Sequence, residues 1–199
     1  MMDAASSRRV AASAEAGGDG ERALVAACRR GDVEAFGRLV ERHQRSIFRL
    51  CYRMVNDRED AADLTQEVFL RAFRSIARFR GESSVATWLY RIAVNLCQSF
   101  RARRPAGEEL AEDAVVTYPA FVDGIDTESR ARVVREAIAR LPERQRATLV
   151  LKTYHELTHE QIGAILGTSV GTAKANLFHA LANLRRLLKG RGLESGGIS

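Results

Sequence analysis

Apolar residues recur along this chain at three- and four-residue steps, the spacing of one face of an α-helix. Over residues 33–55 the apolar stripe is Phe36, Leu39, Val40, His43, Ile47, Leu50, Cys51 and Met54. Arg38, Arg42, Arg45, Arg49 and Arg53 line the other side. A short helix over 21–30 precedes it and stops at Gly31, and Asp32 caps the longer one. Asn56–Asp57 breaks the pattern. A third helix is predicted over about 58–77, with Ala61, Leu64, Val68, Ala72 and Ile76 inward. Gly81 is the next breaker, and Ser83 or Ser84 can cap a helix that runs free of Gly and Pro over 85–103. Its inward positions are Leu89, Ile92, Ala93 and Leu96.

The same period returns in the second half. Residues 130–140 place Val133, Val134, Ala137, Ile138 and Leu141 inward, and Leu141–Pro142–Glu143 restarts a helix with Pro in its first turn. Thr158 and Gln161 have the spacing of a capping box. The helix they open, 160–166, ends at Gly167. Ser169 or Gly171–Thr172 starts the last helix, which carries Ala173, Leu177, Leu181, Leu184 and Leu188 inward. Two helices joined by a short Gly-containing turn make a helix-turn-helix, and Gly163 supplies the small side chain that lets them pack closely. No strand pattern and no internal repeat is present.

Between the halves, residues 106–129 contain no Lys or Arg but carry Glu108, Glu109, Glu112, Asp113, Asp123, Asp126 and Glu128. Pro105, Gly107, Pro119 and Gly124 interrupt any helix there. The pattern predicts an all-α fold: two small helical domains, 21–105 and 130–190, joined by a flexible acidic linker over 106–129. Residues 1–20, mostly small and polar, are expected to be a disordered tail, and 191–199 a second tail.

Charge adds a partner class. A net charge of +6 and a pI near 9.7 point to an anionic partner. No apolar run approaches the roughly 20 residues of a membrane span. The N-terminus lacks a signal-peptide core, so a cytoplasmic protein without membrane insertion is expected. Cys28, Cys51 and Cys97 lack metal-ligand spacing, sit in helical patterns and read as reduced, buried thiols. No cofactor is expected. His43 reads as a packed or rim histidine rather than a ligand.

Trp88, Arg91, Asn95, Ser99 and Arg103 share one face of the 85–103 helix, turned away from the apolar one. Rings stack on unpaired bases, amides read base edges and guanidinium groups hold phosphates. The competing assignment makes Trp88 partly core and the arginines ordinary solvated surface. In the 58–77 helix, Glu59 and Asp60 suit the positive end of the helix dipole. Glu67, two turns in, does not, so Asp63, Gln66 and Glu67 read as a docking surface for a basic partner. The last helix is cationic, with Lys174, Arg185, Arg186 and Lys189. His155–Glu156–Leu157–Thr158–His159 satisfies the zinc-hydrolase motif H-E-x-x-H. That chemistry needs both histidines on one helix, and Thr158 as a cap puts His155 before the helix and His159 inside it.

Four stretches in order carry a family resemblance: DLTQEVFLRAF at 63–73, FRGESSVATWLYRIAVN at 79–95, LPERQR at 141–146 and ELTHEQIGAILGTSVGTAKANLFHALANLR at 156–185. Together they resemble bacterial sigma factors of the extracytoplasmic-function group, over about residues 24–188. The resemblance implies two helical domains on a flexible linker, binding to RNA polymerase core and promoter DNA, no catalytic site, and control by an anti-sigma factor. It implies that Asp63, Gln66 and Glu67 meet the polymerase clamp. Trp88, Asn95 and the loop at 81–87 would capture a flipped minus-ten base, with Arg91, Arg101, Arg103 and Arg104 on backbone phosphates. Lys174, Ala175, Asn176, Phe178 and His179 fall on the positions that face the minus-thirty-five element. There the chain departs from the commonest pattern, with Ala175–Asn176 in place of Ser-Arg and His179 in place of Arg. Two cationic contacts are missing, so the commonest minus-thirty-five sequence is not expected to be its best site. The rival reading, a helix-turn-helix regulator, accounts for 158–188 and the net charge but not for the Asp63–Gln66–Glu67 patch or the Trp88–Asn95 face. Binding to promoter DNA alone, rather than only with polymerase core, would favour that rival.

Overall fold

The computed structural model describes residues 20–103 and 125–189. The expected tails, most of the acidic stretch and Arg104 lie outside the described residues. The described elements are all helical: α1 (20–29), α2 (Val33–Val55), α3 (Arg58–Ser75), a 3-10 turn (Ile76–Arg78), α4 (Val85–Arg103), α5 (Ile125–Ala139), α6 (Glu143–Tyr154), α7 (His159–Leu166) and α8 (Val170–Lys189).

The breaks follow local chemistry. The Asp32 carboxylate accepts from the Ala35 amide at 2.9 Å and starts α2. Asn56 closes α2 in the left-handed region (φ 59°), and Asp57 then accepts from the Asp60 amide at 2.9 Å to start α3. Of the two serines ahead of α4, Ser84 is the cap, its hydroxyl accepting from the Thr87 amide at 3.1 Å. Ser169 likewise caps α8, accepting from the Thr172 amide at 3.0 Å. The Thr158–Gln161 capping box forms in both directions. Two boundaries differ from expectation by more than one residue. The α-helical part of α3 ends at Ser75 and tightens into the 3-10 turn. α5 begins at Ile125, inside the stretch read as linker, because no Gly or Pro follows Gly124 there.

α2, α3 and α4 pack around Leu50, Met54, Val68, Leu89 and Ala93, all buried. α1 is pinned on α2 by His43 Nε2 against Glu21 Oε1 at 2.8 Å, so His43 is a rim histidine. α6, α7 and α8 pack around Leu151, Ile162, Ile165, Ala173 and Ala180. Full burial of each such aliphatic side chain stabilises by about 1.5–3 kcal/mol. Leu181, expected inward, is 47% exposed. At about 100° per residue the α8 stripe runs 173, 177, 180, 184, 187, so Ala180 takes the inward place.

Gly163 sits where α7 meets the turn, and a Cβ added there would lie 2.8 Å from the Thr168 carbonyl oxygen. That oxygen belongs to the backbone and cannot swing away. Gly163→Ala is therefore expected to destabilise the C-terminal helices by about 1–3 kcal/mol of overpacking, more than the roughly 1 kcal/mol gained in helix propensity. Urea denaturation followed by circular dichroism checks this; a midpoint equal to or above the parent's would contradict the close packing.

Candidate nucleic-acid interface

The α4 face takes shape from Gly81 onward. Gly81 adopts φ 75°, turning the chain so that Ser84 can cap α4. Asn95 and Arg91 are exposed, as are Ser99 and Arg103. Trp88 is not wholly turned away. It is half-buried, with its ring centroid 4.8 Å from that of Phe79 and the planes tilted by 34°. Trp88 lies about 40° around the helix from Ile92 and about 60° from Val85, at the edge of the apolar stripe, so its indole straddles core and surface. The result is a half-buried aromatic step, with Asn95 about two turns further along the same column.

The cations placed on this face divide. Arg103 is exposed, and Arg104 lies outside the described residues. Arg91 Nη2 donates to the Ala164 carbonyl of α7 at 2.7 Å. Arg101 donates to the Met54 carbonyl at 3.5 Å and the Ala139 carbonyl at 3.4 Å. In this arrangement Arg91, still exposed, and the half-buried Arg101 each hold backbone carbonyls of other helices.

On α3, Asp63 and Gln66 are exposed, and Glu67 accepts from Arg71 Nε at 2.7 Å. Beside them runs an apolar groove of about 670 Å³ between α2 and α3, lined by Val33, Phe36, Phe48, Gln66, Phe69 and Phe73 among others. Phe73 is 48% exposed and packs edge-on against Phe36 with ring centroids 5.0 Å apart. This apolar rim escaped the sequence reading. Its signal is a second set of positions, Gln66, Leu70 and Phe73, offset from the inward stripe of α3.

On α8, Lys174, Ala175, Phe178 and His179 face outward, Phe178 at 70% exposure. Asn176, expected on an outward face, is half-buried, and its amide nitrogen is buried with no hydrogen-bond partner. Its neighbours on the wheel, Ala173 and Ala180, are fully buried, which places Asn176 on the flank of the core stripe. Over 174–179 the exposed edge of this helix is thus one cation, one imidazole and an aromatic ring, with Arg185, Arg186 and Lys189 exposed further along.

The H-E-x-x-H residues fall on two elements. His155 follows α6, Glu156 adopts φ 54°, Thr158 caps α7 and His159 opens it. They do not form a ligand pair on one helix face. His155 instead lies between the two halves of the chain: its Nδ1 is 3.0 Å from the Tyr90 hydroxyl and 3.4 Å from Ser46 Oγ. Burial, and then Arg49 and Arg53, push its pKa down to about 4. Arg53 lies 3.3 Å over the Tyr154 ring. Arg146, 2% exposed, donates to the carbonyls of Ile138, Met54, Leu141 and Ala139. The three cysteines are free and buried. The Cys97 thiol is hydrogen-bonded to Cys51, and that hydrogen bond together with burial holds it well above the usual range, so it is a neutral, unreactive group.

Residues 39–105 match the Sigma-70 region 2 family and residues 131–184 the Sigma-70 region 4 family. The chain is 40% identical over 172 residues to the ECF RNA polymerase sigma-E factor of Haemophilus influenzae, covering 80% of this chain and 90% of that one. It is 33% identical to the ECF RNA polymerase sigma factor SigW of Bacillus subtilis, covering 81% and 92%. Its fold is similar to that of CnrH in complex with the cytosolic domain of CnrY, with a TM-score of 0.67, 23% identity and coverage of 86% and 98%. A second similar structure is RpoE with the anti-sigma factor NepR from Bartonella quintana, with a TM-score of 0.63, 22% identity and coverage of 79% and 98%. Fold and site together define an all-helical, two-part transcription factor with a C-terminal helix-turn-helix. The chain belongs to the extracytoplasmic-function group of the sigma-70 family. No described helix is long and apolar enough to cross a membrane.

Proposed function

We propose that this chain binds RNA polymerase core and directs it to promoters, recognising an upstream element with α8 and opening the minus-ten region with α4. The observation that carries the reading is the match to both sigma regions, in order, on one chain. It acts as an initiation factor without a catalytic centre of its own, in the cytoplasm where its polymerase works. An anti-sigma factor is a further partner; the RpoE complex with the anti-sigma factor NepR is the parallel.

The residue roles are proposals on the same footing. Trp88 and Asn95 take a base extruded from the minus-ten strand, with Arg91, Arg101, Arg103 and Arg104 near the phosphates once the two halves separate. Lys174, Ala175, Phe178 and His179 face the upstream duplex, with Asn176 supporting from the flank. Gln66 lines the apolar groove of α2 and α3, with Asp63 and Glu67 close to it on α3, so the docking face combines carboxylates and an amide with partly exposed rings.

Run-off transcription with core enzyme on the region upstream of its own gene tests the reading. Promoter-dependent transcripts are expected, and their absence with core from the parent organism would refute it. The docking assignment has its own test. Gln66→Ala with Glu67→Lys is expected to weaken core affinity about tenfold, the scale of a reversed rim charge and a lost contact, with helical content intact. Fluorescence anisotropy against core reads this, and unchanged affinity removes the assignment.

A further inference from the structure

The N-terminal and C-terminal halves meet through an interface built from specific polar groups. Ser46 of α2 and Tyr90 of α4 bond each other at 2.7 Å, and both reach His155 Nδ1. The His155 and Tyr90 rings sit edge-to-face at 4.8 Å between centroids. Arg53 of α2 covers the Tyr154 ring, and Arg91 of α4 bonds the Ala164 carbonyl in the first helix of the helix-turn-helix. Arg91 lies between Trp88 and Asn95 in one column, so α7 rests against the face proposed to capture the minus-ten strand. Both surfaces cannot be used at once.

We propose that the free chain rests in a closed state, latched by His155 in the Ser46–Tyr90 notch, and that protonation of His155 opens the latch and frees α4 for polymerase and promoter. This rests on the proposed sigma-factor function. The notch accepts neutral imidazole and rejects imidazolium for two reasons. Nδ1 is the acceptor that the Tyr90 and Ser46 hydroxyls face, and a proton there removes it. The charged groups bearing on the ring are the guanidinium groups of Arg49 and Arg53 on α2, which repel a third cation, and the titratable group facing it from α4 is Tyr90.

The sign follows. The ring titrates near its ordinary 6.5 when open and near 4 when closed. The closed state is therefore fully favoured above about pH 6.5 and weakens as pH falls toward 4. Between pH 7.5 and 5.5 the open-to-closed ratio is expected to rise about tenfold. A fall in cytoplasmic pH would release the factor without any other partner.

The test uses the full chain with dyes at Glu41→Cys and Ala182→Cys, both exposed, the native cysteines being buried. Single-molecule energy transfer is expected to show a compact population at pH 7.5 that opens about tenfold by pH 5.5. His155→Gln cannot gain a proton and should give a ratio that is flat with pH. Tyr90→Phe, which keeps the ring and removes the hydroxyl, should raise the open fraction at pH 7.5. Affinity for core, measured in parallel, should rise with the open fraction. A parent that is open at every pH, a parent ratio flat with pH, a Gln variant that tracks the parent, or opening without a gain in core affinity would each overturn the latch. Failure of the parent to bind core at any pH counts against the sigma-factor function instead, since the transfer measurement reads the latch independently.

Discussion

Replacing Arg146 with alanine is expected to cost about 3–5 kcal/mol of stability, the scale of leaving buried polar partners uncompensated. The reason lies in what the guanidinium holds. Its acceptors are the carbonyls of Met54, one residue before the end of α2, and of Ile138, Ala139 and Leu141, at the end of α5 and its corner. These are the carbonyls that a helix terminus leaves without intrahelical donors, and they carry the negative end of each macrodipole. Among the described residues no carboxylate pairs with the group, yet two helix ends converge on it and supply partial negative charge from both sides. Burial, and then Arg101, lower its pKa to about 10, so it stays charged at neutral pH. Arg146→Ala removes these donors at once and opens a cavity. Arg146→Lys keeps the charge but not the planar fork, so an intermediate loss is expected. Arg146→Met keeps most of the volume and removes the charge, separating packing from hydrogen bonding. Urea and thermal denaturation of the three variants check the order. An alanine variant within about 1 kcal/mol of the parent would mean that water replaces the guanidinium at little cost.

Arg146 also shows where sequence reading stops. The helices were legible because their apolar periods are long and their breaks are punctuated by Asn56–Asp57, Gly81, Pro142 and Gly167. The capping box at Thr158 and the small residue at Gly163 were legible for the same reason: each is a local device with a local signature. Arg146 has none. Within LPERQR it looks like any cation on an amphipathic helix, and only the approach of α2, distant in sequence, turns it inward. His155 is a similar case. The sequence offers it as half of a metal motif, while its partners Ser46 and Tyr90 come from two other helices. Asn176 and Trp88 were misplaced by smaller angles. Each lies at the edge of an apolar stripe, where about 40–60° of helical rotation separates a surface group from a half-buried one. The groove between α2 and α3 was missed because Leu70 and Phe73 make a second, shorter stripe beside the inward one. The face of Asp63, Gln66 and Glu67 stands out in the sequence because its acids exceed what a helix start requires.

Alanine at Trp88 is expected to leave closed-complex formation intact and to reduce promoter opening about 10- to 100-fold, by the loss of roughly 1–3 kcal/mol of base stacking. Extruding a base from the duplex costs a few kcal/mol, and a ring at the exit point offsets it only once the base has left the stack. The indole packs on Phe79 and is only half-buried, so a stacking surface is partly in place before DNA arrives. That same packing complicates the variant, because Trp88→Ala also loses contacts to the core. Asn95→Ala supplies the independent arm. Asn95 is exposed, and its replacement costs the free protein little. It lies seven residues on, about two helical turns along the same column, within reach of the edge of a base seated beside Trp88. Its loss should lower opening by a factor of about ten and change which base is preferred. Both variants should regain transcription in part on a template melted in advance, because the energy they fail to supply is then not required. Permanganate reactivity of thymines near the start site reads the opening directly, and gel retardation reads the closed complex. Opening equal to the parent's in both variants would remove the strand-capture role from α4. Closed complexes weakened in step with opening would assign Trp88 and Asn95 to duplex binding instead.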